Sequence, residues 1–382
     1  MKFKKIKHVL LRLIICGFVG VMFVYLPAVH MKQYDEISLI YRTFVGEKSE
    51  YQGMIEIWNV DTFEAGSVSK TSILESRAKA FQMKYKGVYF MIRNVTENEC
   101  INMLKSGQKP DLFSCSYSVA EDIKNCICEF NVKETDIYSN FLNAGKVDGL
   151  QLGLPWCTGF YFLFSTKSKL EKAEKYTDGV RLVDIVYDSA YKYKVGKSEV
   201  LSFSLTYGTS GNLMPKNAIS SYNINSIVQE NSIDVDAGNQ TQYSAYSKFI
   251  ANKSTILLGT QRDVLRIENR KRQGKVEEVI VEPLTKYTDL VQFLFLSKSD
   301  DLQRKKYAEK FAGFMLEEES QQVVQNSKMF AVKQLLNVCD DGVMSNITHE
   351  NIGVCKVYGL FEERKGFDET WQTIYLLVSV CE

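Results

Sequence analysis

The chain has 382 residues, of which 45% are hydrophobic and 24% charged, and its net charge is +1. That composition excludes a disordered chain, and the length is too great for one small core and suits two lobes. Five basic residues, Lys2, Lys4, Lys5, Lys7 and Arg12, lie at the N-terminus; the remainder carries −4, which gives no reason to expect a nucleic-acid partner.

Residues 1–29 place that basic head before an apolar run from Leu13 to Val29. This order is an export signal or an uncleaved membrane anchor. The run is about 17 residues, near the lower limit for crossing a bilayer. The basic residues keep the N-terminus inside and put the body on the extracellular face of a cytoplasmic membrane, anchored or secreted. Residues 30–50 read as a spacer.

Met54 to Ser116 reads as a βαβαβ unit. Met54–Trp58 is an apolar run long enough for a strand, and Asn59–Lys70 is a polar loop. Leu74, Ala78, Phe81 and Tyr85 share one helix face, with Gly87 as the C-terminal stop. Val88–Ile92 reads as a strand covered on both faces. Thr96 and Glu99 form a capping box for a helix that buries Cys100, Met103 and Leu104 and ends at Gly107. Asp111–Cys115 is the third strand, and Asp111 holds the turn after Pro110. Parallel pairing with right-handed crossovers follows, and ligands in such sheets sit beyond the carboxyl ends of strands. Those ends are the Asn59–Gly66 loop and the Ser114–Ser118 turn. No GxGxxG or GxxxxGK[ST] occurs, so nothing indicates a dinucleotide or nucleoside triphosphate.

Further along, residues 117–150 alternate polar helical segments with turns. Gly149–Trp156 precedes an aromatic strand, Phe160–Ser165, and Pro155 stiffens the passage. Residues 170–245 read as helices and loops. Tyr207–Gly211 is a polar turn and 218–243 a surface loop rich in Ser, Asn and Gln. Phe249–Arg262 leads through Asn252 and an apolar strand to Gly259, Thr260, Gln261 and Arg262. Val279–Leu284 is a strand ending in Pro and Leu, and Asp300–Asn326 reads as one amphipathic helix with Ala308, Phe311 and Met315 on a face.

These landmarks, in this order, resemble the bacterial extracellular solute-binding proteins of ABC importers, in their carbohydrate-binding group. The likeness lies in IEIWNVDTFEAG through PDLFSCS, in Leu154-Pro155-Trp156, in Phe249–Arg262 and in YAEKFAGFMLEEESQQVV, and covers residues 54–334. Ser165-Thr166-Lys167 departs from the family's Tyr-Asn-Lys, and Asn252 stands where the family has Gly. The resemblance implies an α/β, two-lobed, periplasmic-binding-protein-like type II fold. Each lobe is a mostly parallel sheet flanked by helices, joined to the other by three hinge crossings. Residues 51–155 with 285–327 would form the N-terminal lobe, and 156–284 with 328–382 the C-terminal lobe. Residues 335–382 are the least recognisable part. The implied function is capture of a mono- or oligosaccharide with hinge closure, by a monomer that serves ABC permease subunits.

The implied ligand contacts are Trp58, Asp61, Glu64, Ser116, Trp156, Gln261 and Arg262. Aromatic platforms with carboxylate, amide and Arg hydrogen bonds suit sugar rings. Each Trp has core packing as its alternative. The chemistry of catalysis is thinly supplied. His8 and His30 flank the apolar segment, which leaves His349 alone in the body, too little for a Ser/His/Asp or Cys/His centre or a histidine zinc site. No carboxylate pair has a motif. The chain reads as a binding protein, not an enzyme, without cofactor or metal. Nine cysteines are unusual for an exported chain. Cys100 and Cys115 fit buried hydrophobic positions. Cys126 and Cys128 lack a second pair, and a Cys339–Cys355 disulfide stays open. A two-lobed sensor or interaction ectodomain that has kept the fold and lost transport is the alternative reading.

Overall fold

Thr96 shows how local chemistry sets the first unit. Its side chain accepts a hydrogen bond from the Glu99 backbone, and the Glu99 carboxylate accepts one from Thr96 N at 2.7 Å. This reciprocal box starts the expected helix at Glu97. The computed structural model describes residues 47–131, 136–172, 179, 181–186, 204–207, 218, 234–236, 241–334 and 342–360. The 1–29 signal or anchor, most of the 30–50 spacer, Gly208–Gly211, most of the 218–243 loop, Cys339 and Cys381 lie outside them. Among the described residues no helix is long and apolar enough to cross a membrane.

Contacts divide the described residues into a small unit, 47–54 with 76–90, and a large one, 55–75 with 91–360. In the small unit Phe81 meets Phe90 edge-on at 5.6 Å, and Ser49 Oγ donates to Lys86 O at 2.8 Å. In chain order the first elements are β1 (Glu47–Val60), α1 (Lys70–Lys84), β2 (Tyr85–Val95), α2 (Glu97–Lys105) and β3 (Leu112–Cys115). Two details differ from expectation. The helix stops at Lys84, so Tyr85 opens a strand, and Gly87 (φ 96°) lies inside that strand. β2 is also an edge strand with Tyr89 exposed, not one covered on both faces. Of α2's expected apolar face, Cys100 is buried while Met103 and Leu104 are half-buried.

There follow α3 (Tyr117–Ile123), β4 (Ile127–Cys128), α4 (Ser139–Ala144), a hairpin of β5 (Lys146–Val147) and β6 (Leu150–Gln151), and β7 (Gly153–Thr158). Next come β8 (Tyr161–Thr166), α5 (Lys167–Lys172), β9 (Ser204–Tyr207), β10 (Asp234–Asp236), α6 (Gln242–Ile250), β11 (Ile256–Thr260), α7 (Gln261–Arg272) and β12 (Val279–Leu284). The described residues close with β13 (Tyr287–Thr288), β14 (Val291–Ser297), α8 (Leu302–Met315), α9 (Glu318–Asn326), α10 (His349–Val354) and β15 (Lys356–Val357). The single helix expected over 300–326 is two, because Glu317 takes extended backbone (φ −64°, ψ 151°) between them.

The first sheet runs β2-β1-β3-β14-β4, with β7 also on β14. β1 and β3 are parallel; β14 is antiparallel to β3, β4 and β7. The second sheet runs β10-β9-β11-β8-β12. β9 is parallel to β10 and β11, while β8 is antiparallel to β11 and β12. The chain thus leaves the first sheet after β7, builds the second, and returns through β14. Near the exit, Phe330 pairs with Thr158 as an isolated bridge.

Apolar strands on both sheets are buried on both faces, as in β7, β8, β11 and β14. Asp111 joins strand to helix: Oδ2 accepts Glu56 N at 2.7 Å and meets Arg304 at 2.7 Å. Asn252 has φ 59°, a left-handed conformation that Asn tolerates and Gly adopts freely. Asn is thus tolerated at the position where the sequence resemblance leads to an expectation of Gly. Cys100, Cys115, Cys157 and Cys355 are buried free thiols, and burial raises their titration, to about 12 for Cys100, Cys157 and Cys355. They behave as small hydrophobic groups. Cys355, a free thiol, donates to Ile352 O at 3.3 Å; its suggested partner Cys339 is outside the described residues.

Candidate ligand cleft

The loop between β1 and α1, residues 61–69, forms one wall of a cavity of about 410 Å³. Thr241, Gln242 and Tyr243 at the start of α6, with Arg262 at the start of α7, form the opposite wall. One wall therefore follows a strand of the first sheet and the other belongs to helices packed on the second. The position beyond strand carboxyl ends is the expected one for an open α/β sheet.

The loop is shaped by a buried cation. Lys70 Nζ is fully buried, donates to Phe63 O at 2.7 Å, lies 3.2 Å from Asp61 Oδ1 and sits 3.5 Å from the centre of the Phe63 ring. Burial lowers the Lys70 titration, and Asp61 opposes that shift. Asp61 thus faces the cavity with its charge already matched. Ser67 N donates to Ser327 O at 2.7 Å and anchors the far end of the loop.

Beside the cavity the two walls touch directly. Arg266 donates to both Glu64 oxygens, at 2.6 and 2.7 Å. Arg262 Nη1 donates to Gly66 O at 2.6 Å, and Gln261 Nε2 to Glu64 O at 3.1 Å. The fork geometry of Arg suits a carboxylate held bidentately. α7 presents these groups because Thr260 caps it, in a box completed by Asp263. Arg266 also donates to Asp263 Oδ1 at 2.8 Å and lies over the Tyr243 and Tyr246 rings at 5.1 and 5.4 Å.

Asp263 is buried, and burial raises its carboxyl to about 6 against the bonds from Arg266. The ordinary value is 3.8, so the folded state holds this proton more tightly than the unfolded chain. The group therefore favours folding most below pH 3.8 and progressively less as pH climbs to 6. Chemical denaturation of Asp263→Asn and the parent checks this. The variant should gain on the parent from pH 4 to about 6 and hold a constant difference above about 7. A difference independent of pH would refute the shift.

The sequence-derived residues are distributed unevenly. Asp61, Glu64 and Arg262 line the cavity, and Gln261 lies fully buried behind it. Gln261 Oε1 accepts Phe160 N at 3.3 Å. Trp58, 1% exposed, packs edge-on against Phe113 at 5.7 Å and donates Nε1–H to Glu56. Trp156, 0% exposed, donates Nε1–H to Ser114 Oγ at 3.3 Å. Ser116 is buried, accepts from Thr62 Oγ1 at 2.7 Å and caps α3. Neither Trp nor Ser116 is among the residues lining this cavity. The cavity's aromatic faces are Phe63 and Tyr243, and the latter is 60% exposed. Gln242, Tyr243 and Arg266 escaped the sequence reading. The first two end a polar run read as a loop, and Arg266 sits in a charged helix that looks solvated.

Both cavity carboxylates are matched by cations, Asp61 by Lys70 and Glu64 by Arg266. Among the described residues no His/Cys/Asp/Glu group could hold a metal. The arrangement can enclose a small polar molecule between hydroxyls, an amide, a guanidinium and two aromatic rings.

No model of a known protein family matches the chain, and no curated protein sequence matches it. Solved structures do. The GacH receptor of Streptomyces glaucescens, studied unliganded and with acarbose, matches with a TM-score of 0.55 and 13% identity over 81% of this chain and 88% of that one. The spermidine/putrescine ABC transporter substrate-binding protein PotD of Streptococcus pneumoniae matches with 0.54 and 13% over 86% and 99%. Iron-bound HitA of Pseudomonas aeruginosa gives 0.53 and 13% over 82% and 97%. The fold is that of the type II periplasmic binding proteins. In this binding-protein fold the 61–69 loop and the starts of α6 and α7 face one another across the cavity. The proteins that share it differ in cargo, so the binding-protein fold by itself names none.

Proposed function

We propose that the chain is the substrate-capture subunit of an ABC importer and encloses a carbohydrate in the cleft described above. The observation that carries this reading is the pair of facing walls. Residues from both sides line one cavity, and the Glu64–Arg266 pair spans the gap beside it. Asp61, Glu64, Gln261 and Arg262 would contribute to the closed site. Three crossings between the lobes, expected at 155/156, 284/285 and 327/328, would act as the hinge, the first of them falling after Thr158 because β7 stays on β14 to that residue; closure is what permease subunits would read. Trp58, Trp156 and Ser116 would act from the lobe core, behind the cleft. Residues 1–29 would export the body or anchor it at the extracellular face, where it works as a monomer on a small solute and breaks no bond in it.

A thermal-shift screen of the protein against mono- and oligosaccharides, with amino acids, spermidine and ferric iron as controls, tests the proposal. A ligand present at 100 times its Kd stabilises the folded state by about 2.7 kcal/mol, which a melt detects. One sugar class should raise the midpoint by several degrees. A rise with a control alone would replace the carbohydrate by that cargo. No rise with any compound would overturn solute capture.

A further inference from the structure

Gln242 is the first residue of α6, after Thr241, whose hydroxyl caps the helix by accepting Ser244 N at 3.1 Å. Its side chain stands in the cavity wall and is 9% exposed. Its amide oxygen Oε1 is shielded and, among the described residues, meets no donor. Buried amide oxygens are ordinarily paired, and an orphan asks for an explanation. Among the described residues two other amides with a shielded orphan oxygen, Asn140 and Gln292, differ from it. Asn140 is held through Nδ2 by Ile352 O and Cys355 O, and Gln292 through Nε2 by Asn59, Val60 and Ser114. Neither lines the cavity. Gln242 alone of the three stands where a bound molecule could reach it.

We infer that Gln242 is a specificity-determining contact for the solute, its carboxamide completed by a ligand hydroxyl. This rests on the solute-capture reading above. A hydroxyl both donates and accepts, so it can serve either end of the amide, whichever way the amide is turned. A carboxylate only accepts, so it cannot complete an orphan acceptor; a polyamine N–H can, and spermidine, as a control in the thermal screen, separates that cargo from a hydroxylated one. The neighbours in the wall agree: Asp61 and Glu64 offer acceptors, and Arg262 offers donors.

A polar group kept for its ligand leaves a thermodynamic signature. Without ligand it is a liability, and with ligand it is an asset. Gln242→Met keeps the length of the side chain and removes the amide. In thermal melts without added ligand, the variant should melt about 2 °C above the parent. Glucose, galactose, maltose, cellobiose and lactose then serve as probes in calorimetric titration. Any that bind the parent should bind the variant roughly ten- to a hundredfold more weakly. A variant that melts below the parent would show the amide satisfied in the free protein and would overturn the inference. Equal sugar affinity in parent and variant would overturn it as well, while leaving solute capture standing. If no sugar binds the parent, the carbohydrate reading fails, and the ligand-free melts still decide for or against Gln242.

Discussion

Arg266→Ala should cost about 3–5 kcal/mol of unfolding free energy at pH 7, the scale for removing one partner of a buried ion pair. Most of that loss belongs to Asp263. Its side chain is 1% exposed, and Arg266 is the cation that holds it. Without the guanidinium, a buried carboxyl must either ionise unpaired or take up a proton. Glu64 contributes less, because it is 33% exposed and water screens it. Glu64→Gln should therefore cost no more than about 1 kcal/mol, both variants being compared with the parent by urea denaturation at pH 7. Equal losses from the two substitutions would mean that the bond across the cleft, and not the buried one within α7, dominates.

Gly66→Ala is the second large effect. A Cβ at that position would lie 2.1 Å from Ser327 O and 2.5 Å from Lys328 O, both backbone atoms. Neither can swing aside as a side-chain tip would. The 61–69 loop must shift, and with it the Gly66 carbonyl that receives Arg262. Overpacking of this kind costs about 3 kcal/mol. The substitution should also weaken, by roughly tenfold, the binding of whichever solute the thermal screen finds, since loop displacement separates the walls. A variant with parental stability and parental affinity would show that the 327–328 segment yields. Stability and affinity measured together on one preparation check both halves.

Much of the first sheet was legible because its signals are local. The capping box at Thr96 and Glu99, the apolar run at Leu112–Cys115 and the apolar residues from Leu74 to Phe81 need no distant partner to be read. Tyr85 was misread because it continues the spacing of three and four past the true end of the helix. The start of β1, Glu47–Gln52, is polar and announces nothing. For the tryptophans the difficulty is different. Residues 57–60 are all buried, so alternation does not say which face Trp58 takes. Its side chain packs on Phe113 and bonds Glu56, facts that depend on the register between β1 and β3.

The cleft itself was half legible. Asp61 and Glu64 stand out on a loop after a strand, and Arg262 follows a recognisable apolar strand. Gln242 does not stand out, because its run of Ser, Asn and Gln has the composition of a solvated loop. What distinguishes it is burial without a hydrogen bond, which no spacing encodes. Arg266 is hidden among Arg262, Arg270, Lys271 and Arg272, and only the position of Glu64 on the other wall singles it out.

The route of the chain through its two sheets also bears on how it is made. β4 and β7 find their partner in β14, and β3 has β14 on its outer side. A nascent chain therefore carries β3, β4 and β7 with open edges until residues 291–297 have left the ribosome. All strands of the second sheet lie between Tyr161 and Leu284, and those two residues face each other in the register of β8 and β12. The second sheet is thus a cassette whose entry and exit lie side by side. Such a cassette can complete itself before its host, and evolution can exchange it without stretching the sheet into which it is spliced.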